Sequence, residues 1–223
     1  MGMNNTWLAA VVLAGLAAPA SASPSVTQPL AEHVMLDWTV PGVVAEGIGL
    51  ADRRAPTPDV ARAAARTRGI ADARKRLRAA VENVPWANGK TVGALLDAAQ
   101  LDAAVAAALV QHAEPQTDGS WRVRLLLPLE VLRQAAQGPR KLEADGDPAT
   151  VAVVAIDAKK VAIAPNVGWL FNDGGAPVPC AQRWVTRWDG PTIKATAAQA
   201  GVITLSKPAG IKPATLCVII VSR

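Results

Sequence analysis

From Pro58 to Asn83 the chain carries one long helical period, and the remaining segments have to be arranged around it. Ala63, Ile70, Leu77 and Val84 recur every seven residues with Ala73, Ala80 and Val81 beside them, which makes a narrow apolar stripe. Arg68, Lys75 and Arg76 point away from it. Arg62, Arg66, Arg74 and Arg78 flank it, where long stems lie over apolar neighbours while the charged heads stay in water. Asp59, Asp72 and Glu82 dilute the positive charge, so the outer face reads as solvated rather than polybasic. Thr57 is placed to cap the helix, Pro58 takes the first helical position, Asp59 lies in the first turn, and Pro85 ends the element.

The flanking segments supply a partner for that stripe. Val40-Pro41-Gly42 reads as a turn and Val43 to Ala51 as a strand in which Gly47 and Gly49 permit close packing or a bulge. After a turn at Asn88-Gly89, helical spacing returns from Val92 to Leu109 through Leu101, Val105 and Ala108. A hairpin follows, with Val110 to Gln116 entering Asp118-Gly119-Ser120 and the alternating Trp121-Arg122-Val123-Arg124 leaving it. Leu129 to Gln137 is a short helix after Pro128, stopped by Gly138-Pro139. Past the charged, breaker-rich Gly138 to Thr150 the helical signals stop. Val151–Ile156, Val161–Ala164, Trp169–Phe171, Ile193–Ala195, Val202–Leu205 and Leu216–Val221 read as strands. The expected architecture is α+β: a long helix packed on a small antiparallel sheet over residues 40–138, a linker over 139–150, and a β-rich C-terminal portion over 151–223. Residues 23–39, polar and broken by Pro24 and Pro29, read as a leader that joins the domain late.

Residues 1–22 read as a cleavable signal peptide. Trp7 to Ala20 is an apolar run too short to span a bilayer, and Ala20-Ser21-Ala22 offers the small side chains of a cleavage site. An uncleaved membrane anchor is the alternative. No Cys lies near the cleavage site for lipid attachment, so the mature protein is expected in the periplasm or secreted, or at the outer membrane without a lipid anchor. The two cysteines, Cys180 and Cys217, are expected to form a disulfide there, worth roughly 3–4 kcal/mol by loop entropy; two buried thiols are the rival. With 51% hydrophobic and 18% charged residues the chain can bury a sizeable core, which excludes a disordered tail. The net charge of +5 suits an anionic envelope surface, and export argues against nucleic acid as a partner.

Chemistry-bearing patterns are sparse. His33 and His112 have no ligand-spaced neighbours, and Gly-x-Ser-x-Gly, phosphate-loop and Cys-x-x-Cys patterns are absent. Glu143, Asp145 and Asp147 around Gly146 lack the remaining ligands of a calcium loop and read as a solvated linker. No catalytic, metal or cofactor-binding residues are assigned, and a non-enzymatic role is expected. Seven Trp accompany one Phe and no Tyr, so the Trp residues read first as core or interface anchors, with Trp184 and Trp188 as candidates for stacking on a ligand.

Glu46-Gly47-Ile48-Gly49 precedes the helical run Ala71-Asp72-Ala73-Arg74-Lys75-Arg76-Leu77 and its exit Val81-Glu82-Asn83-Val84. This resembles the LPP-twenty outer-membrane lipoproteins, including flagellum-associated envelope proteins, in which a glycine-bearing strand precedes a helix of the type Ala-x-x-Ala-Arg-x-x-Leu. The hairpin Asp118-Gly119-Ser120-Trp121-Arg122-Val123 falls where that pattern has one. Val154-Ala155-Ile156-Asp157-Ala158, Ala164-Pro165 and Asn172-Asp173-Gly174-Gly175 resemble a second part found in the flagellar members. The resemblance covers residues 43–205 and departs at the missing lipidated Cys. It implies a structural or assembly protein of the cell envelope, with no catalytic residues to carry over. The expected action is self-association or partner binding, through Ala63, Ile70 and Leu77 on the helix and through Trp184 and Trp188. A periplasmic ligand-binding module built on the Trp-rich C-terminal portion is the alternative.

Overall fold

The computed structural model describes residues 25–52, 54–139 and 152–222. The expected signal peptide and the linker carboxylates Glu143, Asp145 and Asp147 lie outside the described residues. The fold is mixed α+β, with two sheets and three α-helices among the described residues.

Helix α1 (Pro58–Val81) starts where its cap predicts, the Thr57 hydroxyl accepting the Val60 N–H at 3.3 Å. Its buried face is Ala65, Gly69, Ala73, Leu77, Ala80 and Val81. This row is offset from the expected stripe: Leu77 belongs to it, but Ile70 is only half-buried and Ala63 is exposed. A seven-residue spacing drifts around a 3.6-residue helix, and the true contact face advances by four through its smallest side chains.

The first sheet explains why those side chains are small. It comprises β1 (Thr27–Ala31), β2 (Val34–Asp37), β3 (Gly42–Gly49), β4 (Leu109–Pro115) and β5 (Trp121–Pro128), in the antiparallel order β1-β2-β3-β5-β4. Helix α1 lies across β3. A Cβ at Gly47 would collide with the Gly69 carbonyl and the Ala73 nitrogen, and one at Gly49 would sit 2.5 Å from the Gly69 nitrogen. A Cβ at Gly69 would in turn meet the Gly49 nitrogen at 3.2 Å and Val123 at 2.9 Å. Helix backbone thus rests on strand backbone, which only glycine permits. Side chains of α1 fasten the end of β3 beyond the reach of β2. Asp72 accepts the Ile48 N–H at 3.0 Å, and Arg68 donates twice to the Leu50 carbonyl at 3.0 and 2.7 Å.

The expected leader is corrected by β1 and β2, which lie within residues 23–39 and belong to the sheet. Val34, Leu36 and Trp38 alternate inward and are buried. Their period of two spans too few residues to stand out, between the Pro29 strand and a turn in which His33 takes φ 60°. The helical region expected over Val92–Leu109 is also shorter. A single turn at Val92–Ala94 precedes α2 (Ala98–Ala106), which starts at a reciprocal Asp97/Gln100 capping box, and Leu109 already belongs to β4. Helix α3 (Leu129–Gln137) follows β5 directly.

The second sheet is mixed. It comprises β6 (Val153–Asp157), β7 (Leu170–Asn172), β8 (Val178–Pro179), β9 (Ala181–Val185), β10 (Ile193–Gln199), β11 (Val202–Leu205) and β12 (Leu216–Ile220), in the order β8-β7-β11-β10-β6-β12-β9. Strands β9, β12, β6 and β10 run parallel. Val161–Ala164, expected as a strand, forms a bend whose Val161 and Ile163 N–H groups are satisfied locally. One hydrophobic core runs through both sheets, from Leu36 and Leu77 to Phe171 and Ile219. No helix among the described residues is long and apolar enough to cross a membrane.

Two outcomes follow from the contact between α1 and β3. Gly49→Ala forces a Cβ into helix backbone and should lower the unfolding free energy by about 3 kcal/mol, measured by urea denaturation. Burial opposes the charge of Asp72, but the Ile48 N–H and the Arg76 guanidinium outweigh it and hold the carboxyl below its ordinary value. A carboxyl depressed by folding stabilises fully above its unfolded pKa of about 3.9 and ceases to do so as pH falls through the folded value. Asp72→Asn should therefore be less stable than the parent at neutral pH, with the gap narrowing below about pH 3.9 in urea midpoints taken across that range.

Candidate functional site

The two sheets meet at β9, and a cavity of about 210 Å³ lies at the junction. The seam is made by backbone as well as side chains. The Trp184 N–H donates to the Trp38 carbonyl at 3.0 Å, and the Thr39 hydroxyl bridges the Val26 N–H and the Trp184 carbonyl. The Trp38 and Trp184 rings meet edge-on with centroids 6.4 Å apart. On the far side of the cavity Val167 exchanges backbone hydrogen bonds with Pro85 and Ala87. Gly168, at φ 85°, lies against the Trp86 indole, where a Cβ would be 2.7 Å from the ring nitrogen.

Helix α3 contributes the charged wall. Its first N–H, of Leu129, donates to the Pro41 carbonyl at 3.0 Å, which holds the first turn over the start of β3. Leu129, Leu132 and Arg133 form the buried face, and Arg133 is only 4% exposed. A guanidinium this deep requires a partner. Glu130 provides one from a turn earlier: Arg133 Nε donates to Glu130 Oε2 at 2.9 Å and Nη2 to Oε1 at 2.8 Å. This pairing uses the side-on edge of the guanidinium and leaves the end-on edge, with Nη1, without a hydrogen-bond partner among the described residues.

Strand β9 and the residue before it contribute the opposite wall, with Cys180, Gln182 and Trp184 alternating onto one side. Gln182 Nε2 donates to the Trp169 carbonyl. Cys180 is joined to Cys217 of β12 by a disulfide, and both residues are fully buried. Trp184 is 1% exposed, and its indole N–H has no partner among the described residues. Asn166, half-buried on the loop wall, makes no side-chain hydrogen bond there either. The cavity is therefore mainly apolar, with the Glu130–Arg133 pair, Asn166 and Gln182 as its polar lining.

The predicted interface residues are not brought together. Leu77 is sealed under the first sheet, Ile70 is half-covered and Ala63 faces solvent on α1. Trp184 lines the cavity, whereas Trp188 lies past the end of β9, 39% exposed and outside the cavity. His33 pairs with Glu32 and His112 with Glu114, on separate parts of the first sheet. Among the described residues no three potential ligands cluster for a metal. Sequence reading missed Arg133 and Asn166, and took Trp38 only as one of the core or interface anchors. For Arg133 a signal exists: Leu129, Leu132 and Arg133 share one helical face, so the arginine occupies a core position, with Glu130 three residues before it.

No protein-family model matches the chain, and a search of curated proteins returns no match. The chemistry of the cavity must therefore be read from its own residues. Because Cys180 is both a cavity wall and half of the disulfide, replacing Cys180 and Cys217 together by Ala should destabilise the protein by about 4 kcal/mol. Urea midpoints of the double variant against the oxidised parent measure this, and coincident curves would show that the bond contributes nothing.

Proposed function

We propose that the protein is a non-enzymatic binding module of the cell envelope whose cleft between the two sheets takes a small, mostly apolar ligand. The observation that carries this reading is the cavity itself, a mainly apolar chamber at a seam between two sheets, with Arg133 and Asn166 among its walls. Its volume sets the scale. A cavity of about 150 Å³ accepts benzene, so about 210 Å³ accommodates one ring or a branched chain with a short substituent. The buried disulfide supports an oxidising compartment, periplasmic or extracellular, in line with the export reading and with the resemblance to envelope lipoproteins.

The test is to fill the chamber from within. Asn166 is half-buried on the loop wall, and Asn166→Trp places a ring where the ligand would sit. Titration with benzyl alcohol should change the Trp emission of the parent and not of the variant, while the variant melts no lower than the parent. A response that survives the substitution would place binding elsewhere.

A second reading, self-association as an envelope structural protein, is favoured by a different surface. Met35, Val44, Leu126 and Leu109 stand in register across four strands on the face of the first sheet turned away from α1, with Met35 and Leu109 exposed. Under this reading a second copy covers the row. Met35→Glu with Leu109→Glu should then convert an oligomer to monomer in light scattering, and a parent chain already monomeric at high concentration ends the reading.

A further inference from the structure

We propose that the cleft selects small carboxylic acids with a flat or branched apolar body, the carboxylate being received by the free end of the Arg133 guanidinium. The inference rests on the cleft being the binding site and names the chemistry it prefers. A guanidinium has five N–H donors on two usable edges, and Glu130 occupies only the side-on one. The end-on edge matches a carboxylate in shape and spacing. The two charges of the ion pair are also unequally shielded, because the Arg133 side chain is 5% exposed and that of Glu130 is 31% exposed. Glu130 lines the same cavity, so its carboxylate competes with an incoming anion for the guanidinium.

Asn166 offers an amide from the loop wall. Apart from Glu130 and Gln182, the rest of the lining, including Trp38, Leu129 and Val167, has no charge to complement and packs against an apolar body. An acid held at one end and hydrocarbon at the other is the ligand these walls describe, and the volume limits it to the size of benzoate or a short branched acid.

Calorimetric titration of the full chain with benzoate and with benzyl alcohol separates this inference from the one beneath it. Benzoate should bind about tenfold or more tightly than benzyl alcohol. Equal affinities, or weaker benzoate, would overturn the carboxylate assignment while leaving the cleft as a binding site. Failure of both probes to bind would remove the cleft reading as well. Two variants test the named groups. Arg133→Lys keeps the charge but loses the fork, and should reduce benzoate affinity several-fold while benzyl alcohol is unaffected. Glu130→Gln removes the competing carboxylate without opening the helix, and should tighten benzoate several-fold. An unchanged benzoate affinity in Glu130→Gln would overturn the proposal even if Arg133→Lys fails to fold.

Discussion

The structure depends on the contact of one helix backbone with one strand backbone. Gly47 and Gly49 on β3 and Gly69 on α1 remove every Cβ that would separate the layers, so α1 meets the sheet at main-chain distance. Side-chain volume is excluded from that end and concentrated at the other, where Leu77 and Val81 pack with Leu36 and Leu125. Asp72 and Arg68 then convert the close approach into fixed register, bonding to the Ile48 N–H and the Leu50 carbonyl that the sheet leaves unpaired. With β3 held in this way, β5 beside it and α3 at the end of β5 have little freedom, and α3 carries Arg133.

How much of this was legible follows from the range over which each signal acts. The Thr57 cap, the Asp118-Gly119 hairpin and the short helix after Pro128 are written in adjacent residues, and the structure has all three. The buried face of α1 was misplaced because it is defined by what it touches. Gly69 weakens a helix taken alone and is required only once Gly49 lies against it. Strands β1 and β2 escaped notice because four or five residues give too short a pattern, and β9 because Ala181-Gln182-Arg183 carries no apolar alternation. The cavity was not legible as a site. Trp38, Arg133 and Trp184 are distant in sequence, and only the meeting of the two sheets makes them neighbours.

That meeting makes the cleft a composite. Trp38 closes the open edge of β9 by a backbone hydrogen bond, so the first sheet stands in for a further strand of the second. The Glu130–Arg133 pair is of the same kind: its charge sits on a helix of the first half and faces a wall supplied by the second. Burying such a pair is costly, and apolar residues of similar volume would stabilise the core at least as well. The binding role proposed for the cleft accounts for a pair that stability alone does not require.

The place of β12 in the second sheet has a consequence for the order of assembly. It lies between β6 and β9, which have no ladder with each other, yet it follows both in the chain. Neither neighbour can complete its pairing as the chain emerges, because the strand that joins them arrives later. The sheet therefore cannot be laid down from first strand to last; β6 has only β10 beside it and β9 has no strand partner until β12 inserts between them. Closure over such sequence distances is slow compared with local pairing. A chain built in this way keeps its second half open longest, because the strand that closes the sheet is the last to be made.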